Sequence, residues 1–471
     1  LLFFPQLQHA VLVAAAVFHC RAVHRKAFVP AAAQHSVYRV LKAAGKPLGV
    51  HLQRRGQHGR DERRKAGEFI RLRGAHQPHA AAAGRNELTL GVRAEALGRE
   101  PGRAIDRTVG VSLLRKHPGT LYAALKKVSA AMMHLENTGF EEKYPIGLID
   151  INLWEWPQGV GLYGLYNYYK LTGDRGTFDF LCGWYDARMA EGLPERNVNT
   201  TCPMLTLLCV YEDTQDERYG ALCRDWAEWV MHGLIRTGDG AFQHMITGDA
   251  NDSQMLIDTL FMTVLFLAKA GVVFGRKDYV EEAKRQCLVH IKYLYDTSCG
   301  LYFHGYDFKG RHNYGRVHWA RGNSWYTCGI MELIGLIPIE PGLRQYFLDT
   351  FRAQVDALCA CQAGDGMWHT ILDDPASYKE SSATAAFAYG MLKGVRLGFL
   401  PAQYEAPALR AVQAVLARVD AAGIVGGVSY GTPVGNDAQF YKDIPVCPMT
   451  YGQAMAILML AEALYHTGED A

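Results

Sequence analysis

Six segments in the later part of the chain are apolar on every side. Between them lie segments with a wetter face, at roughly 216–231, 278–295, 343–361 and 404–419. The six apolar segments lie at roughly 157–172, 201–212, 256–271, 323–337, 381–397 and 450–466. A helix that is apolar all round is buried, and a one-sided helix covers it. The alternation therefore predicts helical hairpins.

Repetition of such a helix pair at intervals of about 45–65 residues is typical of stacked helical hairpins. We predict an all-α fold, an (α/α)6 barrel of six inner and six outer helices. An open α-solenoid uses the same helix pairs and is the alternative. The long aromatic-rich loops favour closure of the barrel.

Charge divides the chain into two parts. Residues 1–118 hold 21 Lys and Arg against 7 Asp and Glu, a net charge of +14, whereas the remainder has a net charge of −12. The first part is rich in Ala, Arg and His and has little sustained periodicity. It lacks the dense basic blocks with interleaved aromatic residues that indicate a nucleic-acid surface. We predict a poorly ordered or non-native basic extension over 1–118, a catalytic domain over 119–471, and no nucleic-acid partner.

Cysteine use and hydropathy bear on the location of the protein. The eleven cysteines are scattered, without paired CxxC spacing or a disulfide framework, which fits a reducing cytoplasm. No run reaches the roughly 18 apolar residues of a membrane span. The first twenty residues are apolar but lack a basic start, so we find no reliable targeting signal. A cytoplasmic protein without a membrane partner is expected, and the pattern does not indicate an oligomeric state.

One acid stands in an apolar run. Asp258 is preceded by Met-Leu-Ile and followed by Thr-Leu-Phe-Met. A carboxylate in such a helix is costly unless it is paired or useful, and burial raises its pKa. A proton held near neutral pH is what a general acid needs. Asp258 is therefore either a general acid or an acid that satisfies backbone donors at a helix N-terminus.

A second group of candidates follows Asp258. His304 is predicted to lie on a loop with neighbouring tyrosines, where it can bind a sugar or serve a structural role. Trp319 and Trp325 offer flat faces of the kind that stack on pyranose rings, and the guanidinium fork of Arg321 suits a carboxylate. Their density in seven residues favours a binding function over core packing. With Asp258, they point to a carbohydrate-active enzyme that protonates its substrate.

Three further residues are weaker candidates. Trp154 can form a subsite wall or belong to the core, and Asn199 can contact substrate or cap a helix. His244 lies shortly before Asp258. There is no P-loop, dinucleotide-binding fingerprint, HExxH motif, EF-hand loop or nucleophile elbow. We therefore predict no cofactor and no metal ion.

Ordered motifs across residues 119–468 resemble glycoside hydrolase family 105, the unsaturated rhamnogalacturonyl hydrolases, which are related to the unsaturated glucuronyl hydrolases of family 88. The matching stretches are WEWPQGVGLYGLY, NVNTTCPML, FQHM, LIDTLFMTVLFLAKAG, LYFHGYDF, HWARGNSW, GMWHTILDDPASYKESSATAAFAYG and IPVCPMTYGQAMAIL. Residues 1–118 show no such resemblance.

The resemblance implies an (α/α)6 barrel and a substrate that begins with a 4,5-unsaturated uronic acid. It implies that an Asp protonates C4 of the double bond, that water adds at C5, and that the hemiketal opens and releases the remaining sugar. Asp258 matches the acid. His304, Trp319, Arg321 and Trp325 match substrate-binding positions, as His244 does less closely.

One departure from the family pattern concerns the second inner helix. Many relatives have a second site Asp there, whereas this chain has Asn199-Thr-Thr. The group that orients the attacking water is therefore left open. Alternative functions are an unsaturated glucuronyl hydrolase, a sugar epimerase or isomerase with His304 and His369 as paired bases, and a sugar-binding protein without turnover.

Overall fold

The computed structural model describes residues 118–136, 149–246 and 251–467. By its internal contacts the chain divides into two units, 1–102 and 103–471. The first unit, and with it all but the last residue of the predicted basic extension, lies outside the described residues. The division of the chain into an extension and a catalytic domain stays a prediction.

The described part of the second unit is mostly helical. Its α-helices are α1 (Pro118–Met132), α2 (Trp156–Thr172), α3 (Arg175–Glu191), α4 (Pro203–Thr214), α5 (Glu217–His232), α6 (Leu265–Val273), α7 (Lys277–Leu294), α8 (Ala320–Leu336), α9 (Pro341–Cys361), α10 (Ser381–Arg396), α11 (Glu405–Leu416), α12 (Ala438–Lys442) and α13 (Thr450–Thr467). A π-helix, Leu260–Val264, leads directly into α6, and a 3-10 turn, Ala402–Tyr404, precedes α11. None of the helices in these ranges combines the length and apolarity of a bilayer span.

The most buried helices contact one another in cyclic order. α2 contacts α4, α4 contacts α6, α6 contacts α8, α8 contacts α10, α10 contacts α13, and α13 contacts α2. The other long helices pack on them from outside, with α1 on α13, α3 on α2, α5 on α4, α7 on α6, α9 on α8 and α11 on α10. The alternation of buried and one-sided helices predicted from the sequence is confirmed.

Short antiparallel strands occupy the loops. β1 (Gln254–Leu256), β4 (Gly305–Asp307) and β5 (His312–Asn313) form one sheet in the order β1-β4-β5. β2 (Tyr295–Asp296) pairs with β3 (Leu301–Tyr302), and β6 (Trp368–His369) pairs with β7 (Lys379–Glu380). These strands lie in the loops that connect the outer helices α5, α7 and α9 to the inner helices that follow.

The largest difference from the predicted elements lies at the third inner helix. The prediction places a helix over 256–271, whereas residues up to Leu256 form β1 and the π-helix begins only at Leu260. Leu256 pairs with Gly305, because the run is apolar enough to be a buried strand as well as a helix. Asp258 therefore lies in the turn before the helix, and the predicted position inside an apolar helix is wrong.

Candidate active site

A cleft opens beside Asp258 at the end of the helices where the loop strands lie. Its wall combines carboxylate, amide and imidazole groups with apolar side chains. The lining residues are Trp156, Asn199, His244, Ile246, Asn251, Leu256, Asp258, Met262, Thr432, Pro433 and Val434. Of the eight predicted site residues, Asp258, His244 and Asn199 line this cleft.

The backbone around Asp258 is fixed from both sides. On one side, the Ile257 amide donates to the His304 carbonyl at 3.0 Å. On the other, the amides of Phe261 and Met262 donate to the Asp258 carbonyl, which begins the π-helix. Single π-turns are rare and occur often at functional sites. The turn directs the Asp258 side chain toward the cleft.

Two side chains hold the carboxylate of Asp258. The indole Nε1 of Trp325 donates to Oδ1 at 3.0 Å. His304 Nε2 lies 3.2 Å from Oδ2, an ion-pair distance at which the angle falls short of a hydrogen bond. Both partners are almost fully buried, so the carboxylate is held from behind while the cleft lies in front of it.

A buried tyrosine fixes the imidazole of His304. Tyr441 Oη lies 2.7 Å from His304 Nδ1 and also accepts the Gly435 amide at 3.0 Å. The hydroxyl proton of this fully buried tyrosine needs an acceptor, and Nδ1 provides one. The Nε2 of His304, which lies on the side of Asp258, then carries a hydrogen whether the imidazole is neutral or charged. Tyr441 was not among the sequence candidates.

The electrostatics of Asp258 differ from the sequence prediction. Burial raises the pKa of its carboxyl, but the opposing influences of His304, His244 and Arg321 outweigh burial. The pKa of Asp258 lies below its usual value as a result. The predicted raised pKa is wrong for this structure, because the run of apolar neighbours in the sequence does not reveal the histidines and the arginine that surround the group in space.

His244 lines the cleft as a neutral base. Burial lowers the pKa of its imidazole to about 4, although the nearby charge of Asp258 acts in the opposite direction. Its Nδ1 lies 2.9 Å from the Thr259 hydroxyl, in the residue after Asp258. A neutral imidazole can exchange a hydrogen bond with a sugar hydroxyl or a water molecule.

Arg321 holds the opposite wall of the cleft. It donates to the carbonyl of Ser429 at 3.1 Å, to that of Tyr430 at 3.0 Å and to Thr432 Oγ1 at 2.8 Å. Its guanidinium lies between the rings of Trp319 and Tyr451, at 4.6 and 4.7 Å from their centroids. These contacts fix the segment that continues into Thr432–Val434, so Arg321 shapes the cleft from behind its wall.

Four other predicted residues also lie behind the cleft. Trp319 and Trp325 are 1% and 0% exposed, so neither ring has a face open to a pyranose. Trp319 packs on His304, with ring centroids 4.2 Å apart. Trp154 belongs to an aromatic cluster with Trp184 and donates to the Thr200 carbonyl at 2.8 Å. Direct sugar contacts by these tryptophans, His304 and Arg321 stay predictions, and in this structure their contacts are with the protein.

Glu155 lies beside the cleft and was not among the sequence candidates. It stands before α2 as its N-cap residue, next to the cleft-lining Trp156, and its side chain makes no cap hydrogen bond. Burial raises the pKa of its carboxyl to about 7, against the opposing effect of a hydrogen bond from Asn199. The group that holds a proton near neutral pH is therefore Glu155. Its signal was present in the motif WEWPQG, where an acid stands between two tryptophans.

The histidine pair of the epimerase alternative is not assembled in the cleft. His369 Nδ1 lies 2.5 Å from the Ser377 carbonyl and does not line the cleft, while His304 is held between Asp258 and Tyr441. Among the described residues, one group has metal-ligand spacing, Asp296, Cys299 and His318, and it lies outside the cleft.

Comparison with known proteins finds a glycoside hydrolase family and relatives from it. The sequence model of a family described as Glycosyl Hydrolase Family 88 matches residues 125–467. The unsaturated rhamnogalacturonyl hydrolase YesR of Bacillus subtilis (strain 168) is 33% identical over 314 residues, which cover 66% of this chain and 90% of YesR.

Two solved structures are also similar over most of their length. One, from Salmonella enterica serovar Paratyphi A, is described as a possible member of the GH105 family; it is 40% identical with a TM-score of 0.71 and covers 78% of this chain and 97% of its own. The other, from Klebsiella pneumoniae and described in the same way, is 41% identical with a TM-score of 0.70 and covers 78% and 96%. The resemblance found in the sequence motifs is confirmed.

Proposed function

The chain belongs to glycosyl hydrolase family 88, and from this premise we propose that it removes a 4,5-unsaturated galacturonyl residue from the non-reducing end of rhamnogalacturonan oligosaccharides. The family makes the protein a glycosidase. The choice of rhamnogalacturonan rests on the similarity to YesR, whose name gives that substrate. The observation that carries the proposal is the placement of Asp258 in the cleft, with Trp325 and His304 holding its two oxygens.

The proposal includes the closed (α/α)6 barrel expected from the sequence. The cyclic order of contacts among α2, α4, α6, α8, α10 and α13 supports it, as do the six helices that pack outside them. In such a barrel the inner helices begin or end at one common rim. Asp258 and Asn199 precede α6 and α4, which accounts for their meeting in one cleft.

The reaction is hydration of the C4=C5 double bond. Asp258 gives its proton to C4, and the positive charge that develops at C5 is shared with the ring oxygen. Water adds to C5 and returns a proton to the Asp258 carboxylate. The hemiketal then opens, and the acetal carbon releases the remaining sugar. The enzyme is not required to displace the leaving group directly at the anomeric carbon, so the usual pair of glycosidase carboxylates need not be present.

Substrate binding has to reverse the charge balance around Asp258. Together, His304, His244 and Arg321 lower its pKa against the effect of burial, so the free protein carries an ionised carboxylate near neutral pH. A bound uronate brings its own carboxylate into the cleft beside Asp258, and a nearby like charge raises the pKa of an acid. The substrate thereby favours the protonated form of the group that acts on it. Proton uptake on binding is the physical consequence.

Asn199 is the group that orients the attacking water in this proposal. Its amide NH2 donates to Glu155, which leaves the amide oxygen to accept a hydrogen bond from water in the cleft. Neutral His244 lies on the same cleft and supplies a second partner. Glu155 thus acts on the cleft through Asn199, whose amide it holds by a hydrogen bond.

The test of the proposed function is the ultraviolet absorbance of the conjugated double bond during reaction with an unsaturated galacturonyl-rhamnose disaccharide. We expect the absorbance to decay with the unaltered protein. Asp258→Asn should lower kcat by about 10³-fold, because the amide cannot give a proton to carbon. Asp349→Asn, at an exposed position on the outer helix α9, is the matched control and should leave kcat unchanged.

Each contrary outcome has a distinct meaning. Normal kcat in Asp258→Asn would contradict the assignment of the acid. Decay only with an unsaturated glucuronyl disaccharide would keep the chemistry and change the substrate. Absence of decay with every unsaturated sugar would contradict the proposed reaction. The predicted cytoplasmic location is independent of all three.

A further inference from the structure

A second group of polar side chains lies outside the cleft. Asp296 ends β2, Cys299 follows in the turn between β2 and β3, and His318 precedes Trp319 at the start of α8. One ligand atom from each of the three lies within 4.8 Å of the others. They come from two segments that the sequence separates, and neither Asp296 nor Cys299 has a part in the proposed hydrolysis.

The imidazole of His318 is oriented as metal ligands usually are. Its Nδ1 lies 2.8 Å from Oδ2 of Asp373. When Nδ1 donates its hydrogen to that carboxylate, Nε2 is left with a lone pair that faces Asp296 and Cys299. A ligating histidine almost always has such a partner on its other nitrogen, because the partner fixes the ring and its tautomer.

The carboxylate of Asp296 is oriented toward Nε2 of His318. Its Oδ1 accepts from the Ser298 amide at 2.9 Å and from the Ser298 hydroxyl at 2.6 Å. Its Oδ2 is thereby turned to His318. The ring of Phe303 stacks on the imidazole of His318, with ring centroids 4.8 Å apart, and restricts the rotation of the imidazole.

The separation of His318 from Asp296 is long for a hydrogen bond between charged groups, whereas that of His318 from Cys299 lies within the range of hydrogen bonds to sulfur. His318 Nε2 lies 3.4 Å from Asp296 Oδ2 and 3.7 Å from Cys299 Sγ. A hydrogen bond between charged groups is usually about 2.7–2.9 Å. Tetrahedral zinc with ordinary bond lengths sets neighbouring nitrogen and oxygen ligands about 3.3 Å apart, and nitrogen and sulfur ligands about 3.6 Å apart. The two separations from His318 Nε2 are close to two edges of such a tetrahedron, and all three ligand atoms lie within 4.8 Å of one another.

We propose that Asp296, Cys299 and His318 bind a zinc ion, with water as the fourth ligand and Asp373 as the carboxylate that orients His318. The thiolate selects a soft divalent metal over magnesium or calcium. Cys299 is exposed, so the ion can enter from solvent. The role is structural, because the ion would join the β2–β3 turn to the segment that leads into Trp319 and thus support His304 from behind.

The test uses the full-length protein stripped of metal with a chelator and titrated with Co²⁺, which adopts zinc geometry and is visible. We expect one equivalent of Co²⁺ to bind and to produce the near-ultraviolet absorption band of a thiolate–cobalt bond. Added Zn²⁺ should displace the Co²⁺ and remove the band. Cys299→Ser should lose the band and lower the affinity at least tenfold. Asp373→Asn should keep the band but lower the affinity by about 10–100-fold.

The controls separate this site from other thiols. Cys182→Ser removes a partly buried cysteine on α3 and should change nothing. Two results would overturn the proposal. One is an unchanged absorption band in Cys299→Ser. The other is binding of less than one equivalent of Co²⁺ to the unaltered protein at every concentration below precipitation, in which case the three side chains form a hydrogen-bonded network only. Circular dichroism verifies that each variant is folded. The readout does not use hydrolysis, so failure here is distinct from failure of the proposed function.

Discussion

At the scale of single residues, the proposed chemistry depends on how each polar group is held. Burial of Asp258 favours its protonated form, whereas His304, His244 and Arg321 favour its ionised form. Tyr441 fixes the orientation of His304, and the indole of Trp325 donates to Oδ1 of Asp258. In the proposed reaction the acid is therefore oriented before the substrate binds, and its protonation depends on the charge of the bound substrate.

Tyr441 tests whether the orientation of His304 matters. Tyr441→Phe removes the donor to His304 Nδ1 but keeps the ring. We expect kcat to fall by about tenfold, since leaving one buried hydrogen-bonding group without a partner costs about 1–3 kcal/mol. KM should change little, because Tyr441 is not a cleft residue. Steady-state kinetics against Tyr404→Phe, whose hydroxyl bonds to Asp356 on an outer helix, checks the effect.

If Tyr441→Phe had an unaltered kcat, His304 would not need the tyrosine to hold its orientation. A rise in KM with constant kcat would instead place Tyr441 among the groups that bind the ground state.

Glu155 gives the protein a stability that depends on pH. Its ordinary pKa of 4.5 is raised to about 7 in the folded state, so the folded protein binds a proton that the unfolded chain has released. The stabilisation is complete below the unfolded pKa and is lost as the pH rises through 7. We expect the free energy of unfolding to fall by about 2 kcal/mol between these limits, after allowance for partial exposure.

Glu155→Gln should remove this dependence. Denaturant unfolding near both ends of that pH window, with Glu195→Gln at an exposed position as the control, measures it. A pH dependence that survives in Glu155→Gln would mean that another group is responsible.

Sequence reasoning named Asp258 together with His304 and Trp325, the two side chains that hold its carboxylate, but it missed the residues behind them. Asp258 was recognised because an acid stands out in an apolar run, Asn199 because it can cap a helix or contact substrate, and His244 because it lies shortly before Asp258. Tyr441 and Glu155 were missed, since their roles depend on contacts that only the folded chain creates. The same limit explains the wrong pKa direction for Asp258. Local hydropathy reports burial, and it does not report which charges arrive from distant segments.

At the scale of elements, close approach between inner helices is set by glycine. Gly159 lies in the first turns of α2, where an added Cβ would come 2.6 Å from the backbone atoms Cys202 C and Pro203 N at the start of α4. These backbone atoms cannot move away as the end of a flexible side chain can, so the helices would have to shift. By contrast, Gly183 lies on the exposed side of α3 with nothing within 4 Å of an added Cβ.

The two glycines make a matched pair. Gly159→Ala should lower the free energy of unfolding by about 2 kcal/mol, the usual cost of overpacking. Gly183→Ala should raise it by about 0.5–1 kcal/mol, since alanine is the better helix former. Denaturant unfolding of both variants measures the difference. Equal effects of the two substitutions would contradict the close contact between α2 and α4.

The helices were predictable because burial leaves a strong periodic signal. The predicted segments over 381–397 and 450–466 agree with α10 and α13 to within a residue at each end. The outer helix α3 was not singled out, because its mixture of small, aromatic and charged residues forms no clear apolar stripe. The short strands escaped prediction since two or three residues carry too little alternation to be recognised.

At the scale of the whole molecule, the question is how much of the chain the enzyme needs. Leu121, Leu125, Val128 and Met132 of α1 are fully buried, and α1 packs on α13. The family match begins at residue 125, within that helix. Among the described residues, the core therefore includes α1 from its first turns onward.

Removal of residues 1–118 should leave an active enzyme, because the core residues of α1 remain. Removal of residues 1–132 should prevent folding or sharply lower the melting temperature, since four fully buried side chains are lost and burying each contributes about 1.5–3 kcal/mol. Activity and thermal unfolding of the two shortened chains check both expectations. Loss of folding on removal of 1–118 would give that segment a role in the enzyme.

The π-helix at Leu260–Val264 has a consequence for changes in chain length beside the cleft. A π-turn holds about one residue more than a turn of the α-helix into which it leads. Deletion of one residue there is expected to restore a regular helix and to rotate everything before it by about 100° around the helix axis. The side chain of Asp258 would then face away from the cleft.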